Sequence, residues 1–279
     1  MKNQVVIDAQ NQDIYLLEKS KELFRYSDLL KSIVRREFKV LYRRTVLGPI
    51  WYLLQPLLAS LIYVVVFNKV ANISTDGLPS ILFYLLGTSL WGLFSDSLVK
   101  SSDVFVMNQL LFEKVYFPRL IMPIAMVIST FPKFIMQMLL FCLVWIYYFA
   151  MGEISPSIHL VYFPFLVGLT ALFGFSIGLI VSAITVKFRD LLYVLNYLIN
   201  ILMYLSPVIY PVSIVAEKYR WMTWANPLTG FFELSRLGVL GKGEMNLEGL
   251  GAGVLFVFVV LYIGLKVFFK VEKSFIDTI

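Results

Sequence analysis

Apolar residues in this chain gather in six long blocks, near 48–68, 81–99, 120–150, 161–186, 192–212 and 250–270, separated by polar connectors. A bilayer core of about 30 Å takes about 20 helical residues, so each block predicts one membrane-spanning helix. The third is long enough for one and a half crossings and is interrupted by Pro123, Pro132 and Lys133, which predicts one kinked helix with its first turns at the interface.

Three segments outside these blocks predict helices of their own. Ahead of the first span, Leu30, Ile33, Val34, Phe38 and Leu41 recur at steps of three and four, Lys31, Arg35, Lys39 and Arg43 at steps of four, and Ser27 or Asp28 can start the helix. A helix with one greasy and one cationic face lies in the headgroup plane. It is either an anchor that sets orientation or, through Arg43 and Arg44 at its end, a contact for the phosphate of a lipid-linked molecule, which suits a guanidinium fork. Between 100 and 119, Ser102 or Asp103 can cap a short helix over 101–117, Val104, Met107, Leu110, Leu111 and Val115 give it an apolar stripe, and Pro118 stops it. Such a helix either rests on lipid or fills a groove of a soluble motor subunit. The third segment, 211–246, is apolar and aromatic, with Trp221 and Trp224, yet too short to cross twice. Asn226-Pro227 splits it and Gly238, Gly241 and Gly243 end it, which predicts a re-entrant or interfacial helical pair over 211–240. That pair is either a lid on the membrane surface or a gate.

Composition removes the soluble classes. Hydrophobic residues are 59% and charged residues 15% of the 279, and mean hydropathy is +0.80, against about 45–50% and 25% in soluble domains. The first 25 residues are polar and mixed in charge, unlike a signal peptide, so the N-terminus is expected to be retained. Lys and Arg then set the orientation: eighteen fall before the first span, in the 100–119 and 187–190 loops and at the C-terminal end, against five in the opposite loops. Both ends are therefore expected in the cytoplasm, with 1–47 and 271–279 as cytoplasmic tails around a spanning domain of 48–270. The net charge of +6 is accounted for by this bias and requires no nucleic acid.

Candidate chemistry is sparse. Cys142 sits in an apolar run and His159 has no Cys or carboxylate cluster around it, so no metal site is expected. The chain lacks a GxxxxGK[ST] phosphate loop, a GxSxG elbow and an HExxH pair, so any energy must come from a gradient or a partner. Acids within the spans are nearly absent, Asp96 being the clear one, which argues against an ion-coupled carrier. Aromatics make up 16%, and Tyr63, Tyr84, Trp91, Tyr197 and Tyr204 fall at mid-span. Each either packs against core and lipid or offers a flat face to the C–H surface of a sugar ring.

With these segments in view, the chain resembles the permease subunits of ABC-2-type polysaccharide exporters, which move O-antigen, capsule or teichoic acid chains. RREFKVLYRRTVLGPIWYLLQPLL from Arg35 carries the likeness, followed in order by FPRLIMPIA from Phe117, TVKFRDL from Thr185, SPVIYP from Ser206, NPLTGFFELSR from Asn226 and a terminal FFKVEKSFIDTI. The resemblance implies an all-α integral membrane fold with six transmembrane helices, an N-terminal interface helix and an outer re-entrant pair. It implies a homodimer in the bacterial inner membrane joined to two copies of a separate ABC ATPase, which holds the ATP and Mg. The lipid-linked polysaccharide would pass along a dimer-interface channel, 101–117 would be the coupling element and 211–240, with Trp221, Trp224, Asn226 and Pro227, the outer gate. Two rivals stand beside it. A drug or small-lipid exporter of the same type would favour a smoother apolar cavity. A membrane enzyme acting on lipid-linked sugar would need converging acids.

Overall fold

The computed structural model describes residues 26–43, 50–108 and 117–276, and every regular element among them is a helix. α1 (Ser27–Arg43) is the amphipathic segment. α2 (Ile50–Tyr63) runs into a π-helical turn, Val64–Val70. α3 (Ser80–Ser102) is followed at once by the short α4 (Val104–Met107). α5 (Ile121–Ile128) abuts α6 (Phe131–Ala150). α7 (Phe163–Thr185) is entered through a 3-10 turn, Ile158–Tyr162, and α8 (Leu191–Leu205) follows it. The chain ends in α9 (Arg220–Trp224), α10 (Pro227–Leu240) and α11 (Leu247–Ile276).

Five stretches, Ile50–Val70, Ser80–Ser102, Ile121–Ala150, Ile158–Thr185 and Leu247–Glu272, are long and apolar enough to cross a bilayer, as expected of a multi-pass membrane protein. The fifth apolar block behaves differently. Its helix α8 has 15 residues, about 22 Å. It stops at Leu205 rather than 212 because Pro207 drives Ser206 into extended backbone, φ −99° and ψ 149°. The third block does break, at Ser129-Thr130. Pro132 cannot donate to the carbonyl of Ile128, and the two hydroxyls turn back onto the carbonyls of Met126 and Val127 at 2.6 and 2.7 Å.

Lipid is as apolar as a leucine core, so close contact and polar satisfaction must hold the helices together. At the centre, α7 lies on α3 through Gly174 and Gly178. A methyl group at Gly174 would strike the carbonyl of Phe94, and one at Gly178 the side chain of Ser101. Two buried serines of α3 bond within their own helix, Ser89 to Leu85 and Ser101 to Ser97, both 2.7 Å, and Thr185 reaches across to the carbonyl of Ser102 at 3.0 Å. α11 packs on the far side of α7, and α10 is buried between α3, α7 and α11 along nearly its whole length. The outer faces of α6 and α11 present large apolar side chains such as Leu143 and Leu255, 69% and 65% exposed, which is the surface a bilayer covers.

Candidate functional site

At one end of the bundle, α1 buries Ile33 and packs on α5, leaving Arg35 and Lys39 exposed. Arg43 is its last residue, and Arg44 lies outside the described residues. The predicted 101–117 helix is described only as α4. Leu110 and Leu111 lie outside the described residues. Within α4, Val104 is fully buried and Phe105 stacks on Phe268 with centroids 5.0 Å apart, so Val104 belongs to the core rather than to an open stripe. Met107 is 75% exposed. The predicted side-chain cap does not form: the hydroxyl of Ser102 donates to Leu98 at 2.7 Å, and Asp103 occupies the cap position without a side-chain cap bond. Burial pushes the Asp103 carboxyl up to about 6, helped by Glu37 and opposed by a backbone hydrogen bond and Lys100.

The five mid-span aromatics fall into three settings. Tyr84 is completely buried in the core, edge-on to Phe83, and its hydroxyl finds no partner. Half-buried Tyr63 meets Tyr84 with centroids 6.0 Å apart, and its hydroxyl points to the sulfur of Met203 at 3.9 Å. Trp91, 6% exposed, starts a second row, Trp91–Phe94–Phe173–Phe256, with centroids 5.2, 5.4 and 6.1 Å apart. That row borders an apolar cavity of about 660 Å³ beneath α9. Tyr197 and Tyr204 stand on the bare face of α8, 71% and 59% exposed.

The sequence reading missed the rest of that face. Tyr193, Tyr197, Asn200 and Tyr204 recur at steps of four, three and four, so they share one stripe. Tyr193 is 81% exposed, whereas Leu195 and Ile199 on the opposite side are buried. The signal was a heptad-like polar stripe, with Asn196 beside it, on a mostly apolar helix. Also missed were two ion pairs. Lys133 Nζ donates to Asp96 Oδ2 at 2.7 Å, and Arg236 Nη1 donates to Glu233 Oε1 at 2.8 Å.

At the opposite end, the chain breaks between α9 and α10. Asn226 Oδ1 accepts from the Leu228 amide at 3.1 Å, its Nδ2 donates to Ser206 Oγ at 2.8 Å, and Pro227 fills the first helical position. Asn226-Pro227 is thus the start of α10. Trp221 is 69% exposed and Trp224 half-buried. Among the described residues no group of three or more His, Cys, Asp or Glu could hold a metal ion.

The family described as "ABC-2 type transporter" matches residues 28–240. The O-antigen export system permease protein RfbA of Myxococcus xanthus is 31% identical over 198 residues, covering 71% of this chain and 74% of that protein. A protein of the same name from Klebsiella pneumoniae is 27% identical, covering 90% and 94%. The polysialic acid transport protein KpsM of Escherichia coli is 25% identical, covering 89% and 95%.

Proposed function

Because the chain belongs to the ABC-2 type transporter family, we propose that it is the membrane permease of an ATP-driven exporter that moves lipid-linked polysaccharide, O-antigen or a related surface glycan, across the bacterial inner membrane. The chain supplies the path and no covalent chemistry. ATP and Mg are held by two copies of a separate ATPase subunit. Two permeases face each other, α8 makes a short sixth crossing, and both termini lie in the cytoplasm.

The observation that carries this reading is the stripe of Tyr193, Tyr197, Asn200 and Tyr204, exposed on α8. In hydrocarbon an amide and three phenols without partners are costly. Across a seam from a second copy they become the wall of a hydrated path, where aromatic faces meet sugar C–H surfaces and phenols meet sugar hydroxyls. Glycan then slides without any strong single contact. Tyr63 supports that wall from behind. The lipid phosphate enters beside Arg43 and Arg44, motor strokes pass through the 101–117 segment, and the 211–240 pair gates the outer end. The relatives are named for O-antigen export and for polysialic acid transport, which favours a surface glycan over drugs or small lipids. A strain lacking this chain should still make the glycan but keep it on the cytoplasmic face of the inner membrane. Normal surface glycan in that strain would refute the reading.

A further inference from the structure

The face of α9 that carries its two tryptophans closes a groove of about 620 Å³ against the first turns of α11. Its wall holds Arg220, Trp221, Trp224, Glu244, Asn246 and Glu248, an open aromatic surface beside converging polar groups.

Trp224, Arg220 and Asn246 are each held in place. Gly249 lets the Trp224 ring lie against the α11 backbone, since a methyl group there would sit 2.6 Å from Cε3 of that ring. Arg220 is clamped from behind, Nε donating to the Val215 carbonyl at 3.3 Å and Nη2 to the Ser213 carbonyl at 3.2 Å. Its remaining Nη1 faces Glu244 Oε1 at 3.8 Å, an ion pair too long for a hydrogen bond. A hydroxyl beside that gap can accept from the guanidinium and donate to the carboxylate at once. Asn246 spends its Oδ1 on the Gly249 amide at 2.9 Å, which leaves its NH2 group to donate. Exposed Glu248 adds a second acceptor. Donors and acceptors alternating beside flat aromatic faces match a pyranose ring, apolar on its C–H face and ringed with hydroxyls.

We propose that this groove binds a single neutral pyranose unit of the exported chain as it leaves the outer end of the path. Two carboxylates against one guanidinium repel acidic sugars, so the groove selects neutral glycans over polyanionic ones. The proposal rests on the export reading above, which puts this end of the bundle outside and supplies the glycan.

The test places a photo-crosslinking benzophenone amino acid at Met245, a groove residue that is 48% exposed, in the full chain with its ATPase in glycan-producing cells. A second probe stands at Tyr204. Irradiation should give adducts at both positions that carry the size ladder of the glycan and vanish when glycan synthesis is blocked. Trp221→Ala should cut the adduct at position 245 about fivefold relative to that at position 204. A ladder at 204 with none at 245 overturns the groove alone. So does a lipid-sized adduct at 245 that persists without glycan synthesis, which would make the groove a headgroup site, or a 245 ladder indifferent to Trp221→Ala. No ladder at either position overturns the export reading itself.

Discussion

Arg236 and Glu233 form a fully buried ion pair within one turn of α10, Nη1 to Oε1 at 2.8 Å. The guanidinium also lies 3.7 Å from the centroid of Phe83 on α3 and donates through Nη2 to the carbonyl of Val208 at 3.1 Å. Glu233 Oε2 in turn accepts the Glu244 amide at 3.0 Å. One pair thus ties α10 to α3, to the turn after α8 and to the lead-in of α11. Removing one partner strands the other charge in a dry site, which costs about 3–5 kcal/mol. Arg236→Met or Glu233→Gln alone should sharply lower the thermal unfolding temperature in detergent, and the double variant should recover more than half the loss. Equal stability of the wild type and both single variants would show that the pair does not hold these elements together.

The second pair acts in the span. Lys133, in the first turn of α6 after the break, meets Asp96 of α3, with side chains 22% and 30% exposed. Since both side chains are only partly buried, stranding either charge should cost less, about 1–2 kcal/mol. Asp96→Asn should therefore be milder than Glu233→Gln in the same unfolding assay. Asp96→Asn combined with Lys133→Gln should be milder than either single change. Additive losses in that cycle would mean that the two groups do not interact.

Asp103 predicts a pH dependence. Its carboxyl is raised in the fold to about 6 from an ordinary 3.8, chiefly by burial. In that window the folded state binds more protons than the unfolded one, so stability falls as pH rises from about 4 to 6 and stays low above it. Wild type should therefore unfold at a higher temperature at pH 5.5 than at 7.5. Asp103→Asn should be more stable than wild type at 7.5 and lose part of that acid gain. An unchanged pH difference in Asp103→Asn would assign the effect to other groups.

Trp91 and Tyr204, alike in the sequence as mid-span aromatics, should part company. Trp91→Ala opens a cavity in the core, a change that costs about 3–5 kcal/mol, and should cut the yield of folded protein. Tyr204→Ala removes an exposed ring and should leave folding and partner binding intact while slowing glycan export a few-fold. Phe should rescue at 204 and Leu should not. Rescue by Leu would return Tyr204 to plain packing.

Much of this fold was legible because span length and apolar runs are set by bilayer thickness, which a linear sequence reports directly. The break of the third block could be read from Pro132. Missing was anything that depends on which side of a helix turns inward. Tyr84 and Tyr204 look equivalent in the chain, yet one fills the core beside Phe83 and the other faces out. The early stop of α8 follows from Pro207, a signal outweighed by the apolar run through 212. α10 reads as part of a re-entrant or interfacial pair because 211–246 is too short to cross twice, and the pattern does not show what Glu233 and Arg236 face. Their pairing, which lets the helix be buried, depends on Phe83 and Val208, both far away in sequence.

Vectorial movement of glycan can be followed in inside-out inner-membrane vesicles. Vesicles carrying this chain, its ATPase partner and preloaded lipid-linked glycan on the outward-turned cytoplasmic face are given Mg and ATP, then a glycan-degrading enzyme. The glycan should become protected with time, in an ATP-dependent manner, and not when the chain is absent or ATP is replaced by a non-hydrolysable analogue. Glycan that stays fully accessible with ATP, partner and chain all present would contradict export through this chain.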